Sequence, residues 1–226
     1  MKGQPMTVAD KATPRERYRA QVRAEIKQRA WDQIATAGAP GLSLNAIAKQ
    51  MGMSGPALYR YFASRDELIT ELVRDAYRSL ADTIRAAAAS GADLAGLGQA
   101  LRAWALDDPQ RYFLVYGTPV PGYHAPDDIT LIASEIMDAL LNAAQPAGAA
   151  ADTPPDDDPD TPLEAHLAQH RQWAADHPAP PAALRRALRF WTRLHGILSL
   201  ELAGHFNGMG FDPVELYESE LRHLTR

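Results

Sequence analysis

The stretch Ser43–Phe62 constrains this chain more than any other. Ile47, Met51, Met53, Leu58 and Phe62 are spaced to fill a wedge between two short helices that cross steeply. Such a crossing needs a small side chain at the contact, and Ala48 supplies it. The turn four residues later favours positive φ, and Gly52 supplies that. Ser43 and Ser54 stand where helix N-caps belong, and Pro56 lies in a first turn, where a missing amide proton costs little. The pattern predicts helices over about 44–51 and 55–62, joined as a helix-turn-helix.

Position then follows from geometry. The second helix of this motif enters the DNA major groove with its N-terminal end toward the base edges. With Leu58 and Phe62 inward, its outer face carries Ser54, Gly55, Tyr59 and Arg60, with Pro56 and Ala57 at the entering end. Arg60 can read a guanine bidentately, a contact worth about 1–3 kcal/mol of discrimination. Pro56 and Ala57 offer apolar contact alone. Ser43, Tyr61 and Arg65 are placed for phosphates, although packing accounts for Tyr61 nearly as well.

Charge agrees once the chain is divided. Residues 1–65 carry eleven Lys/Arg against four Asp/Glu, and residues 66–226 carry twelve against twenty-four, so the net −5 separates into +7 and −12. A basic head on an acidic body is the footprint of a protein that offers one end to phosphates.

The remainder reads as all-α. A first helix from Pro14 repeats Tyr18, Val22, Ile26, Ala30 and Ile34 at every fourth position and stops at Gly38. Its arginines suit a solvated face as well as phosphate contact. A fourth helix over about 66–88 starts at the capping box Ser64-Arg65-Asp66-Glu67. Further helices are expected near 93–106, 109–116, 127–144, 163–176, 181–204 and 212–224, and no segment alternates with period two. The expected division is a flexible arm over 1–13, a three-helix DNA-binding domain over 14–65, and a larger helical domain for ligand binding and dimerisation over 66–226. Within the last, 146–161 reads as a disordered loop, because proline and aspartate dominate it. Without cysteine there are no disulfides or thiolate metal sites. No secretory signal or membrane-spanning run is visible, so a cytoplasmic protein without membrane contact is expected.

Residues 15–80 resemble the TetR/AcrR family of regulators. The resemblance is carried by Leu42–Ala48, Met51–Ser54, Leu58-Tyr59-Arg60-Tyr61-Phe62 and Ser64–Leu68. Arg65 stands where the family more often has lysine, and Gly55-Pro56-Ala57 gives the recognition helix an apolar start. Trp191–Gly196 with Leu200–Phe206, and Asp108–Phe113 with Gly117–Tyr123, resemble the WHG-type C-terminal domain of one branch. The resemblance implies a homodimeric repressor on palindromic double-stranded operator DNA, released by a small-molecule effector; no phosphate-cradling glycine loop, nucleophile elbow or convergent carboxylate pair is visible, so no enzyme is expected. It also implies that Ser43, Tyr59, Tyr61 and Arg65 contact phosphates or bases.

For the body, Leu184, Leu188, Trp191, Val214, Tyr217, Leu221 and Leu224 are the expected dimer contacts, from apolar spacing on the last two helices. Arg185, Arg189 and Arg193 are candidates to pair with Glu215, Glu218 or Glu220. Trp104, Tyr112, Phe113, Tyr116, Met137, Trp173 and His195 are the expected pocket residues, although each alone reads more readily as core than as pocket. No cofactor is called for. His166 and His170 share a helix face near Glu164 but lack a third ligand, so no metal site is expected. A constitutive DNA binder with a filled core is the alternative to a ligand-responsive one.

Overall fold

The computed structural model describes residues 13–117, 123, 126–145, 161–174 and 177–225. Residues 1–12 of the arm expected over 1–13 and 146–160 of the loop expected over 146–161 lie outside them, whereas Thr13 caps α1 and Thr161 begins α8. Among the described residues there are ten α-helices and no strand. These are α1 (Pro14–Ala37), α2 (Leu44–Gln50), α3 (Gly55–Leu58), α4 (Arg65–Ala89), α5 (Leu94–Asp107), α6 (Pro109–Tyr116), α7 (Asp127–Ala143), α8 (Thr161–Gln169), α9 (Pro181–Leu202) and α10 (Pro213–Leu224). The described residues 13–72 and 123 form one compact unit and the others a second. The first two turns of α4 therefore belong with the first unit, beyond the boundary expected at Arg65.

In the first unit, α1 begins where its sequence caps it. The Thr13 hydroxyl accepts the Glu16 amide at 3.2 Å, and the Glu16 carboxylate accepts the Thr13 amide at 2.7 Å. This second capping box is legible in the sequence as Thr13-Pro14-Arg15-Glu16. Val22, Ile26, Ala30 and Ile34 are buried as the period predicts, but Tyr18, one turn earlier, is 64% exposed. That turn of α1 meets no neighbouring core. Ser43 caps α2 by accepting the Ala46 amide at 3.3 Å. Gly52 has φ +65°, and the Met53 amide closes back onto the Ala48 carbonyl at 2.9 Å, a Schellman end. A Cβ at Gly52 would meet nothing within 4 Å, so backbone conformation alone requires glycine there.

Ala48, Ile47, Leu58 and Phe62 are buried in the wedge, with Met51 and Met53 at its edge. The second helix is shorter than expected: α3 ends at Leu58, because the Tyr61 amide turns tightly onto the Leu58 carbonyl at 2.8 Å. Ser54 caps α3 through its backbone carbonyl and makes no side-chain cap. At α4, the Ser64 hydroxyl accepts the Glu67 amide at 3.0 Å, and the Glu67 carboxylate accepts the Ala63 amide at 2.6 Å.

In the second unit, aspartates at 93, 108 and 212 cap α5, α6 and α10. The main core gathers Leu97, Leu101, Ile136, Phe190, Leu194 and Tyr217 with their neighbours. Gly98 lets α5 approach α9 and α10 closely: a Cβ there would lie 2.6 Å from Leu221 Cδ1. The Tyr217 hydroxyl donates to the Gly98 carbonyl at 2.7 Å. A smaller cluster joins Leu141, Leu167, Ala183 and Leu184.

Helix α8 stops at Gln169, short of the expected 176, and a single 3-10 turn over Gln172–Ala174 follows. Arg171 marks the break, donating to the carbonyls of His177 at 2.6 Å and Ala179 at 2.9 Å. Of the arginine stripe on α9, Arg193 pairs with Glu220 as expected. Arg185 turns instead to Glu164 of α8 at 2.8 Å and is buried.

Candidate nucleic-acid interface and body cavity

The first unit presents a notch of about 390 Å³ walled by Ser43, Leu44 and Asn45 of the α2 start, by Tyr59, and by Ser64 and Arg65 of the α4 start. Three of the expected DNA contacts, Ser43, Tyr59 and Arg65, thus converge from separate segments. Asn45 and Ser64 also line it and were not among the residues expected there, although both are polar residues at helix starts. Beside the notch, Ser54, Pro56, Tyr59 and Arg60 are exposed and Gly55 and Ala57 half-exposed, so the outer face of α3 is that expected.

Arg65 differs from expectation. Its guanidinium donates to the Leu42 carbonyl at 3.1 Å and the Ala39 carbonyl at 2.7 Å, and it lies 3.7 Å from Asp66. It clamps the turn before α2 and forms one wall of the notch, rather than standing free for a phosphate. Tyr61 is half-buried, with the Arg19 guanidinium 5.8 Å from its ring centroid.

The α1 arginines also have a defined part. Arg19 donates to the Arg60 carbonyl at 3.2 Å, and Arg23 donates to the Tyr61 carbonyl. Arg23 further lies 3.3 Å from Glu71 and 4.1 Å over the Phe62 ring. These two side chains bind the carbonyls that the short α3 leaves without downstream amides, so α1 braces the end of the recognition element.

The second unit holds a cavity of about 360 Å³ walled chiefly by Tyr77, Tyr116, Met137, Trp173, Leu188 and Trp191. Of the expected pocket residues, Tyr116, Met137 and Trp173 line it. His195 and Tyr112 stand behind Tyr116, with His195 ring centroids 4.3 Å from Tyr116 and 5.6 Å from Tyr112. The Tyr112 hydroxyl lies 3.0 Å from His195 Nδ1 and 2.9 Å from the Ser199 hydroxyl. Burial pushes His195 down to about 3, so its ring is neutral at physiological pH. Trp104 is core instead: its indole N–H donates to the Ser79 hydroxyl at 3.1 Å, and Arg111 covers its ring at 4.7 Å. Phe113 packs edge-on against Tyr112 and does not line the cavity.

The expected dimer contacts divide similarly. Leu184, Tyr217 and Leu221 are buried within a single chain, and Leu188 and Trp191 line the cavity. Val214 and Leu224 remain half-exposed. On the same two helices Leu200 is 45% exposed and Leu216 37%, and neither was among the expected dimer contacts. His166 and His170 stack with ring centroids 4.1 Å apart, and the described residues hold no group of three metal-ligating side chains. No helix among them is long and apolar enough to cross a membrane.

Comparison with known proteins bears on both units. Residues 26–72 match the bacterial regulatory proteins of the tetR family, and residues 94–224 match a tetracyclin repressor-like, C-terminal domain. The HTH-type transcriptional regulator Rv1816 of Mycobacterium tuberculosis is 36% identical over 216 residues, covering 92% of each chain. The crystal structure of the protein SCO4313 is 71% identical, covers 94% of this chain and 98% of that one, and superposes with a TM-score of 0.84. A protein of unknown function from Rhodococcus sp. RHA1 shares the fold at 22% identity and TM-score 0.64, over 91% and 94% of the two chains.

Proposed function

The chain belongs to the tetR family of DNA-binding transcriptional regulators, and from that premise we propose that it represses transcription as a homodimer on a palindromic operator and leaves the DNA when a small molecule fills the cavity of its second unit. The observation that carries the DNA-binding part is the convergence of Ser43, Tyr59 and Arg65 in one notch beside an exposed Arg60. A notch of that kind suits a backbone phosphate, with the hydroxyls of Ser43 and Tyr59 as donors, while Arg60 reaches base edges. The +7 of residues 1–65 supports the same face. DNA as the partner supports a cytoplasmic location.

A two-fold dimer offers two recognition elements to successive major grooves, about 34–36 Å apart. With Leu184, Tyr217 and Leu221 inside the core, exposed Leu200 and Leu216 and half-exposed Ile197, Leu202, Val214 and Leu224 are among the apolar side chains that α9 and α10 still offer a second copy. An aromatic cavity in the second unit favours a ligand-responsive regulator over a constitutive binder with a filled core.

The test is operator binding by anisotropy across a salt series for the native chain, Tyr59→Phe and Arg60→Ala. Loss of a phosphate donor in Tyr59→Phe should weaken all sequences alike. Arg60→Ala should cost about 1–3 kcal/mol on the operator and little on scrambled DNA. An equal loss on both by Arg60→Ala would make it a phosphate contact and remove the assigned reader.

A further inference from the structure

The first two turns of α1 overhang the first unit. Residues 14–20 are all exposed, although Val22, Ile26, Ala30 and Ile34 of the same helix are buried. A helical turn usually persists because one of its faces packs. These two are held by their start instead: Pro14 stands at the first helical position, and Thr13 and Glu16 close the capping box. The box also occupies the Glu16 carboxylate, the one acid of residues 14–20, which accepts the Thr13 amide at 2.7 Å and the Thr13 hydroxyl at 2.9 Å.

Helical phase decides which side chains the overhang presents beside the recognition element. At 3.6 residues per turn, Arg15, Tyr18 and Arg19 share the face that Val22 and Ile26 turn to the core further on. Glu16 and Arg17 fall on other faces. The shared face meets the end of α3: the Arg19 guanidinium donates to the Arg60 carbonyl at 3.2 Å and lies 5.8 Å from the Tyr61 ring centroid. Arg15 precedes Arg19 by one turn, about 6 Å. It is exposed, and Tyr18 is 64% exposed, so a guanidinium and a phenol stand in solvent next to the element that carries Arg60. Both are donors of the kind that meets phosphate oxygens.

We propose that Arg15 and Tyr18 bind the phosphate backbone bordering the DNA groove that α3 enters, a contact surface outside the helix-turn-helix. The proposal rests on the reading of the Ser43–Arg65 face as the DNA side and extends that face onto α1. Charge commits the overhang to an acidic partner: residues 14–20 hold three arginines against one glutamate. A seam with a second copy has little to bury there, because the same residues include no leucine, isoleucine, valine or methionine. The arginines of α1 thus divide by position, Arg19 and Arg23 to the end of α3 and Arg15 to the nucleic acid.

The test is the affinity of the full chain for a random-sequence duplex of about 30 base pairs, read by anisotropy between about 50 and 200 mM salt. Arg15→Ala should reduce the slope of log affinity against log salt by about one, so that the advantage of the native chain shrinks about 3.5-fold over that range. Arg15→Lys should keep the native slope. Tyr18→Phe should bind severalfold more weakly at unchanged slope, since it loses a donor and no charge. Arg29→Ala removes an exposed charge about 21 Å further along α1 and should keep the native slope. Melting curves of all four variants should overlay that of the native chain, because these positions are exposed.

Arg15→Ala at the native slope overturns the proposal, as does an equal fall in slope with Arg29→Ala, which would show a general effect of charge. Tyr59→Phe on the same duplex separates this proposal from the reading it rests on. If Tyr59→Phe weakens binding while Arg15→Ala and Tyr18→Phe change nothing, the notch stands and the overhang is wrong. If Arg15→Ala lowers the slope while Tyr59→Phe is silent, the overhang touches DNA and the notch reading fails.

Discussion

Replacing Arg23 should damage the recognition element without removing a DNA contact. Its guanidinium binds the Tyr61 carbonyl, lies 3.3 Å from Glu71 and covers the Phe62 ring at 4.1 Å. A hydrogen bond from a charged donor contributes about 1.5–3 kcal/mol. The ion pair, with both side chains about a quarter exposed, adds about 0–1 kcal/mol. The ring contact adds about 0.5–1 kcal/mol. One guanidinium makes all three, so they do not add independently, and Arg23→Ala should destabilise the first unit by about 2–4 kcal/mol. Arg23→Lys keeps the charge but lacks the planar fork that meets these partners together, and should fall between.

Chemical denaturation followed at Trp31, the single tryptophan of residues 1–72, measures the loss. Operator binding separates a brace from a phosphate contact. Arg29→Ala removes the same charge from an exposed site on α1, where Arg29 lies 3.8 Å from Asp32. If Arg23 braces, its variant loses far more affinity than Arg29→Ala, while the salt slope stays within that of the control. A slope reduced by about one, with stability changed by less than about 0.5 kcal/mol, would show a phosphate contact and refute the reasoning.

Three further outcomes follow from single sites. Gly52→Ala should cost about 1 kcal/mol or more by denaturation, and Gly52→Asn clearly less, because only φ and no neighbouring atom demands glycine; equal costs would point to crowding instead. Gly98→Ala should destabilise the second unit by about 1–3 kcal/mol, since its methyl would press on Leu221 at 2.6 Å, and pairing it with Leu221→Ala should recover part of the loss. His195 should make the second unit acid-sensitive. The unfolded ring takes a proton below the ordinary value of 6.5 and the folded ring only near 3, so its contribution is complete above 6.5 and falls by about 1 kcal/mol per pH unit below it. His195→Gln should flatten the acid limb between those values relative to the native chain, and an unchanged limb would refute the burial account.

What the sequence revealed, and what it hid, follows from where the information lies. Helices α1, α6 and α10 begin within a residue of expectation because Thr13-Pro14, Asp108-Pro109 and Asp212-Pro213 are local caps. The helix-turn-helix was legible because Ala48, Gly52, Leu58 and Phe62 satisfy one another over twenty residues. Partners far along the chain were not legible. Periodicity marked Leu184, Tyr217 and Leu221 as an apolar face, but not that the same chain covers it, which moved them from the expected interface into the core. Trp104 lies in the core instead of the expected pocket, and Trp191 on the cavity wall instead of the expected interface, for the same reason: a large aromatic residue is core, wall or interface according to what lies opposite. Arg65 appeared free because its acceptors, the Ala39 and Leu42 carbonyls, belong to a turn more than twenty residues away. The brace of Arg19 and Arg23 was hidden likewise, since it depends on α3 ending at Leu58.

The most direct test of the account is selection of bound duplexes from a random DNA pool at about 0.15 M salt, with the full chain. The account predicts enrichment of a palindrome whose half-sites lie about one helical turn apart, with one guanine position in each half-site that loses its preference in Arg60→Ala. Binding to every sequence alike, or enrichment that Arg60→Ala leaves unchanged, would contradict the assignment of the Ser43–Arg65 face as the reader.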